Sequence, residues 1–379
     1  MRRFLIVLCC FYLVIEVAAQ SGEEEFHHYK IDLKSEKVDY FELIESVEIG
    51  RIEETESSLI SSAALYFKTP GGFGIADNKS HMIHVFNDKG DVVSSFSGNG
   101  WGPKEYQHLA MPWVRDGHLE IFDWATRKLI KYSFEGKFLE SITVRFPFKV
   151  LHTYPYKNGY MMSRVPAGMA PDTTAGHSIL FLNERLEIVD GAFPYERSHP
   201  FPMGLGGYYM QAGAELLHKK MVSDSLFRVV GYQMIPFMKF DFGKEWTWSK
   251  PGTMLSVDNA AEEAFSGKSV FEMIVKVGDE LIDIAYYKGL SRNPNRGYIN
   301  RKTGQFFRYD LRMNRKEKFK LIPIEWQGDL LLHSLDSDQL ERFINKLDGK
   351  PFKVRGGCSV EDIVESENPV LVFVRFKPL

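Results

Sequence analysis

Cysteine is scarce in this sequence, which excludes most of the structures and reactions that cysteine supports. The 379 residues contain three cysteines, and two of them, Cys9 and Cys10, fall within residues 1–20. Cys358 is the third, so we expect neither an internal disulfide nor a cysteine-based zinc site in the rest of the chain. The surrounding sequence VRGGCSVED contains nothing that marks a catalytic thiol.

Strong net charge and familiar catalytic motifs are absent as well. The formal net charge is −3, from 47 basic and 50 acidic residues, and this balance predicts neither a nucleic-acid partner nor a membrane-surface partner. The sequence contains no G-x-S-x-G motif and no phosphate-binding loop followed by Lys-Ser/Thr. No local pattern of His or Asp predicts a metal site, and the sequence itself requires no cofactor. A calcium ion held by backbone carbonyls in a channel would leave no mark in the sequence.

The N-terminus has the layout of an export signal. Two arginines precede an apolar stretch at residues 4–15, and the small residues at 17–19 resemble a cleavage site. We therefore predict a signal peptide at residues 1–19, followed by a single domain at residues 20–379. The apolar stretch is too short for an ordinary membrane span. A lipid anchor is disfavoured because Leu8 or Cys9 would precede the modified cysteine, so the prediction is export to the periplasm or cell surface.

The clearest internal feature is a repeat with a period of 46 residues. Residues 75–96 read IADNKSHMIHVFNDKGDVVSSF and residues 121–142 read IFDWATRKLIKYSFEGKFLESI, which align without a gap. The alignment places Asp77 on Asp123 and Gly90 on Gly136. Each copy reads as short strands joined by tight turns, and aromatic residues make up 14% of the chain. A repeat of this length and content is typical of a β-propeller blade.

Five such units and a remainder predict an all-β, six-bladed propeller. We expect the first strands of the six blades at residues 62–68, 111–115, 149–154, 208–211, 270–277 and 319–323. Residues 21–30 are polar and acidic, and we expect them to be frayed. A strand at 47–52 should pair with the C-terminal strand at 370–376 and close the last blade. Two helices at 337–347 and 359–365 should form a small insertion in that blade.

Several segments resemble the exported six-bladed propellers, related to the NHL-repeat group, of gut-type Gram-negative bacteria. The matching stretches read VDYFELIESVEIGRIEET, NDKGDVVSSFSGNGWGPKEY, YSFEGKFLESI and ENPVLVFVRFK, and they span nearly the whole chain after the signal. The resemblance implies the fold, whereas the family has no settled activity. Many of its members are lipoproteins, and this chain departs from them by lacking a good lipid-attachment motif.

Candidate ligand-binding residues follow from the expected inner strands and mouth loops. Rings that stack and guanidinium groups that pair with carboxylates suit a sugar or an acidic ligand such as a uronic acid. We also expect Met210, Glu272 and Lys320 to line the channel, and Glu215 and Glu272 are a candidate carboxylate pair. The predicted ligand-binding set is Trp101, Trp113, Arg115, His152, Tyr154, Arg164, His177, Tyr208 and Arg292.

Three functions agree with the sequence. The leading hypothesis is a monomeric, non-catalytic binding or scaffold module for a glycan, a peptide or another small ligand at a channel mouth. The first alternative is a metal-dependent lyase, lactonase or hydrolase with its site in the channel. The second is a protein interaction platform that uses the loops at residues 165–176 and 194–207.

Overall fold

The computed structural model describes residues 26–61, 64–146, 148, 150–164, 176–194, 208–250, 257–291, 293–314 and 316–378. The predicted signal peptide and most of the two proposed interaction loops lie outside these residues. Three strands precede the first blade: β1 (His27–Lys30), β2 (Lys37–Asp39) and β3 (Ile44–Gly50). The one-turn helix α1 (Tyr40–Leu43) separates β2 from β3.

Blades 1 to 3 are four-stranded sheets that follow one another along the chain. Their strands are β4 (Ala64–Thr69), β5 (Gly72–Asp77), β6 (Met82–Asn87) and β7 (Val92–Phe96) in blade 1; β8 (Trp113–Arg115), β9 (His118–Asp123), β10 (Lys128–Tyr132) and β11 (Phe138–Thr143) in blade 2; and β12 (Val150–Tyr156), β13 (Gly159–Arg164), β14 (His177–Leu182) and β15 (Ile188–Pro194) in blade 3.

Blades 4 to 6 each carry a fifth strand. Blade 4 contains β16 (Tyr208–Ala212), β17 (Glu215–Lys219), β18 (Ser225–Val230) and β19 (Gln233–Asp241), and helix α2 (Val257–Ser266) connects it to blade 5. Blade 5 contains β20 (Val270–Val277), β21 (Leu281–Lys288), β22 (Asn295–Asn300) and β23 (Phe306–Asp310). Blade 6 contains β24 (Ile322–Gln327), β25 (Leu330–Leu335), helix α3 (Leu340–Lys346), β26 (Phe352–Val354), helix α4 (Val360–Val364) and β27 (Val370–Phe376).

The predicted six-bladed propeller is confirmed, together with its closure. In blade 6 the strand order is β24-β25-β27-β3-β26, so the N-terminal β3 lies beside the C-terminal β27. The two strands are antiparallel, with Leu371 opposite Gly50 and Phe376 opposite Ile44. Helices α3 and α4 lie between β25 and β27 in sequence, as the predicted insertion requires. Backbone hydrogen bonds between the two ends of the chain therefore complete the ring.

The segment before β3 is ordered along the rim, so the prediction of a frayed start is wrong for its second half. β1 pairs in parallel with β19, the outer strand of blade 4, and places Tyr29 opposite Phe240. β2 pairs in parallel with β23, the outer strand of blade 5. Tyr29 and Ile31 are buried in the apolar cluster shared with these blades. Apolar contacts at alternate positions therefore offset the entropic cost of ordering this otherwise polar segment.

The 46-residue repeat corresponds to a repeated hydrogen-bond arrangement at the ends of β5 and β9. Asp77 and Asp123 are both buried, and each accepts a hydrogen bond from the N–H two residues later in the chain, at 2.8 and 2.9 Å. Each also accepts from the connector that enters its blade, through the N–H of Ser61 (3.0 Å) and of Gln107 (2.8 Å). The aligned aspartates thus attach the connector that leads into each of these two blades to the end of the second strand of that blade.

Neighbouring blades are also joined near the turn that connects the first and second strands of each blade. We call this end of the propeller the hairpin end. The last residue of the inner strand reaches across to a neighbouring blade in three cases. Arg115 donates to the carbonyl of Gly159, and Tyr156 donates to that of Gly231 at 2.5 Å. Gln327 donates through Nε2 to the hydroxyl oxygen of Tyr66 at 3.2 Å. These bonds set the relative positions of the inner strands.

A buried polar contact anchors helix α1 in the joint between blades 5 and 6. Tyr40 is fully buried, and its hydroxyl lies 3.2 Å from Nε2 of the buried His333. The other ring nitrogen of His333 lies 2.9 Å from the carbonyl oxygen of Leu331. Burial lowers the pKa of His333 to about 3, so the ring is neutral at physiological pH. The neutral ring therefore donates from Nδ1 and accepts from Tyr40.

We expect Tyr40→Phe to destabilise the protein by about 1–3 kcal/mol, because it leaves a buried His333 nitrogen without a donor. The measurement is the free energy of unfolding from urea titration. Tyr232→Phe is the matched control, since Tyr232 is 42% exposed, and this change should stay within about 0.5 kcal/mol. Equal stabilities for the two variants would contradict this role of Tyr40.

Candidate functional site in the central channel

The first strand of each blade lies innermost, and these strands surround the channel. Inner strands of neighbouring blades are in contact, as for β4 with β8, β8 with β12 and β20 with β24. Their free edges face the axis because they have no neighbour within their own sheet. Polar side chains gather on these strands in the half of the channel near the hairpin end: Tyr66, Lys68, Tyr154, Lys276, Glu325 and Gln327.

Glu325 lies between blades 6 and 1 at the centre of a polar cluster. Its Oε1 lies 3.2 Å from Nζ of Lys68 and accepts a hydrogen bond from Nε2 of Gln327 at 3.0 Å. Burial, and secondarily the Glu325 carboxylate, raises the pKa of Tyr66 to about 12. The phenol therefore keeps its proton at physiological pH and is able to donate a hydrogen bond.

Tyr154 reaches the same region from the opposite side of the ring, because blade 3 faces blade 6. Burial raises the pKa of Tyr154, and the Glu325 carboxylate raises it further. Tyr154 on blade 3 and Glu325 on blade 6 therefore belong to the same polar region of the channel.

Lys276 is a cation of this region that forms no direct ion pair with a residue that the structure describes. Its side chain is half-buried on β20, and it forms no side-chain hydrogen bond or ion pair with any residue that the structure describes. The indole of Trp326 donates to its backbone carbonyl at 2.9 Å, which fixes the backbone. Burial lowers the pKa of Lys276, and the carboxylates of Asp283 and Glu325 offset only part of that effect.

The cluster combines a lysine without a direct ion pair among the described residues with two protonated phenols, an amide and a carboxylate. Such a set offers one cationic contact for an acid group, together with donors and acceptors for hydroxyl groups. The exposed lysines of the surface would bind an anion weakly, because water and salt screen them. Lys276 is partly shielded from both, so an anion should gain more by pairing with it.

The structure brings two predicted binding residues together, but around a buried carboxylate. Trp113 donates through Nε1 to Oε2 of Glu120 at 2.8 Å, and Nε of Arg115 lies 3.9 Å from the same oxygen. Glu120 is fully buried, and the hydroxyl of Tyr160 donates to it at 3.1 Å. The guanidinium of Arg115 also lies 4.3 Å from the centre of the Tyr160 ring. These contacts use Trp113 and Arg115 to join blades 2 and 3.

Three further predicted residues lie on inner strands. The side chain of His152 is accessible to solvent, and partial desolvation by the surrounding protein lowers its pKa. Tyr154 belongs to the polar cluster. The ring of Tyr154 lies 5.6 Å from that of Tyr209. The hydroxyl oxygen of Tyr208 accepts a hydrogen bond from the N–H of Val275 at 2.8 Å, which caps a free backbone group of β20.

The remaining predicted residues lie away from the cluster. Arg164 is buried at the end of β13, where it donates to the carbonyl of His177 at 3.2 Å and lies 4.4 Å from the Phe148 ring centre. Trp101 is 79% exposed on the connector between β7 and β8. Arg292 lies outside the described residues.

The expectation that Lys320 lines the channel is wrong. The first strand of blade 6 begins at Ile322, so Lys320 lies before it, 70% exposed and paired with Asp336 at 2.8 Å. The observed strand β24 places Glu325 in the channel instead. In the sequence, Glu325 is marked only as the single acidic residue of IPIEWQ. Lys276 is likewise a lone charge within the apolar run VFEMIVKV.

The candidate carboxylate pair does not assemble. Glu215 begins β17 at the hairpin end and pairs with Arg228 at 2.9 Å. Glu272 lies near the start of β20, at the other end of its strand, and pairs with the fully buried Lys219 at 2.6 Å. Met210, on β16, packs against the apolar cluster of blades 4 and 5. Within the described ranges, no three His, Cys, Asp or Glu side chains are grouped so that they could hold a metal.

The fold and the polar channel define the class of protein as a six-bladed β-propeller. The chain belongs to the family DUF4934, a domain of unknown function, whose model matches residues 28–375. None of the curated proteins matches the chain. Among the helices that the structure describes, none has the length and apolar character needed to cross a bilayer.

Solved structures support the fold. A candidate exported protein from Bacteroides fragilis is 17% identical, with a TM-score of 0.69 over 93% of this chain and 100% of that chain. A DUF4221 family member from Bacteroides vulgatus is 11% identical, with a TM-score of 0.50 over 88% and 97% of the two chains. A streptogramin B lyase is 10% identical, with a TM-score of 0.41 over 87% of this chain and 97% of that chain.

We expect Glu120→Ala to destabilise the protein by about 3 kcal/mol, since it removes a buried carboxylate and leaves its partners without an acceptor. Glu140→Ala is the matched control, because Glu140 pairs with Lys131 at 3.0 Å while 53% exposed, and its loss should cost at most about 1 kcal/mol. Urea unfolding of both variants measures the difference. A loss at Glu120 no larger than that at Glu140 would show that the buried carboxylate does not join blades 2 and 3.

Proposed function

We propose that this protein is an exported, non-catalytic binding module whose channel takes a small ligand with an acid group, such as a uronic acid. The observation that carries the proposal is Lys276, a half-buried ammonium in the channel without a counter-ion among the described residues. Protonated Tyr66 and Tyr154 and the amide of Gln327 supply further hydrogen bonds for hydroxyl groups.

Electrostatics favour an acid group over a neutral one. Glu325 already has Lys68 and Gln327 as partners, so its charge is largely compensated. Lys276 lacks such compensation, and an arriving carboxylate would supply it through a charge-assisted hydrogen bond.

Export and domain organisation are part of the proposal. The pattern of residues 1–19 and the likeness of fold to a candidate exported protein support secretion of a single domain at residues 20–379. The destination, periplasm or cell surface, and the monomeric state stay predictions. The metal-dependent lyase, lactonase or hydrolase and the interaction platform stay alternative predictions.

The proposal is tested with D-glucuronate and D-glucose, which share a ring and differ in one acid group. We expect glucuronate to bind the purified protein in isothermal titration and glucose to bind much more weakly. Lys276→Met should weaken glucuronate binding about 10- to 100-fold, as expected for loss of a charged hydrogen bond. Lys320→Met is the control, because Lys320 is exposed outside the channel. Equal affinity for the two sugars, or equal effects of the two variants, would refute the proposal.

The proposal also predicts a pH dependence. Only protonated Lys276 pairs with an acid group, and burial lowers its pKa from the ordinary 10.5 despite the facing carboxylates of Asp283 and Glu325. Glucuronate affinity should therefore be full at neutral pH and fall as the pH rises through a value below 10.5. Titrations at increasing pH check this, and an affinity that is constant up to pH 10.5 would contradict it.

A further inference from the structure

The inner strands and the second strands next to them carry several lysines, and their environments differ. Lys68 on β4 lies 3.2 Å from Glu325, and the fully buried Lys219 lies 2.6 Å from Glu272. An ion pair holds a lysine in its charged form, and a charged amine is not a nucleophile. Lys276 has no such close pair with any described residue, and the carboxylates of Asp283 and Glu325 that face it offset only part of the effect of burial on its pKa.

The amine of Lys276 is also held in place while it stays accessible. Trp326 donates to the Lys276 carbonyl at 2.9 Å, and the N–H of the preceding Val275 donates to Tyr208 at 2.8 Å. Two aromatic side chains from neighbouring blades thus fix β20 at this point. The side chain of Lys276 is only half-buried, so a small molecule in the channel has access to it.

We propose that Lys276 captures a small aldehyde or ketone in the channel as a reversible imine. The neutral Nζ adds to the carbonyl carbon, so a carbon–nitrogen bond forms. The carbonyl oxygen then leaves as water with the two amine protons, and a carbon–nitrogen double bond remains. No oxidant or reductant is consumed, and addition of water reverses the step.

The surroundings of the amine suit this exchange. Asp283 on β21 and Glu325 on β24 are the charged groups that face Lys276, and either carboxylate could take up a proton during loss of water. The lowered pKa increases the fraction of neutral amine at physiological pH. Open-chain reducing sugars carry an aldehyde, so the inference agrees with a sugar ligand. It rests on the channel access that the proposed function needs, but not on an acidic ligand.

The test uses D-glyceraldehyde, a small neutral aldehyde, with sodium cyanoborohydride to fix imines, followed by peptide mass spectrometry. We expect Lys276 to be labelled about three- to tenfold faster than the exposed Lys320 at neutral pH, because a lower pKa leaves a larger fraction of the amine neutral. Lys320 is an internal control, since it is 70% exposed but paired with Asp336. Lys276→Arg should remove the Lys276 adduct and leave the labelling of Lys320 unchanged.

Labelling of Lys276 that is no faster than that of Lys320 in the unmodified protein would overturn the inference, and this result needs no variant. The two proposals also fail separately. If glucuronate binding depends on Lys276 but glyceraldehyde does not label it, the imine is excluded and the binding function stands. If Lys276 is labelled rapidly but glucuronate does not bind, the acid-binding function is excluded and the imine stands.

Discussion

The pairing of β3 with β27 is the constraint on which the rest of the structure depends. These strands belong to opposite ends of the chain and run antiparallel from Ile44 and Phe376 to Gly50 and Leu371. Without this ladder blade 6 would lose its outer strands, and blades 1 and 6 would not be held together. Contacts such as Gln327 with Tyr66 exist only in the closed ring. The site is thus a product of closure, because its members come from blades that are distant in sequence.

The distribution of polar groups separates structural from functional roles. Between blades, buried charges are satisfied by the protein itself, as Glu120 is by Trp113 and Tyr160. Such groups fix the blades relative to each other, and the cost of leaving one unpaired is high. In the channel, Lys276 departs from this rule, because it forms no ion pair or side-chain hydrogen bond with a residue that the structure describes. A lysine without a partner costs stability, so its position is easier to explain by binding than by folding.

Much of the fold could be predicted because the repeat reflects local physics. Asp77 and Asp123 align in sequence because they make the same hydrogen bonds at the ends of β5 and β9. The site was harder to predict, since it depends on the exact start of β24. Phe319 suggested an earlier strand, but it is buried against Phe41 and Phe343, ahead of that strand. The strand therefore starts later than expected, and it contains Glu325 but not Lys320.

Other predicted residues lie on inner strands and already have polar partners within the protein. Trp113 and Arg115 lie on β8 as expected, yet their polar atoms contact Glu120. Composition could not show this, because the partner belongs to another strand and the ring of Tyr160 to another blade. Lys276 could not be singled out from the sequence, because an isolated lysine in an apolar strand usually faces solvent.

A crystal structure of the protein soaked in D-glucuronate tests the central claim most directly, because it shows which group Lys276 contacts. We expect the sugar in the channel, with its carboxylate about 2.7–2.9 Å from Nζ of Lys276 and the Lys68–Glu325 pair intact. A structure in which Lys276 pairs with Asp283 or Glu325, with the sugar absent or bound elsewhere, would contradict it.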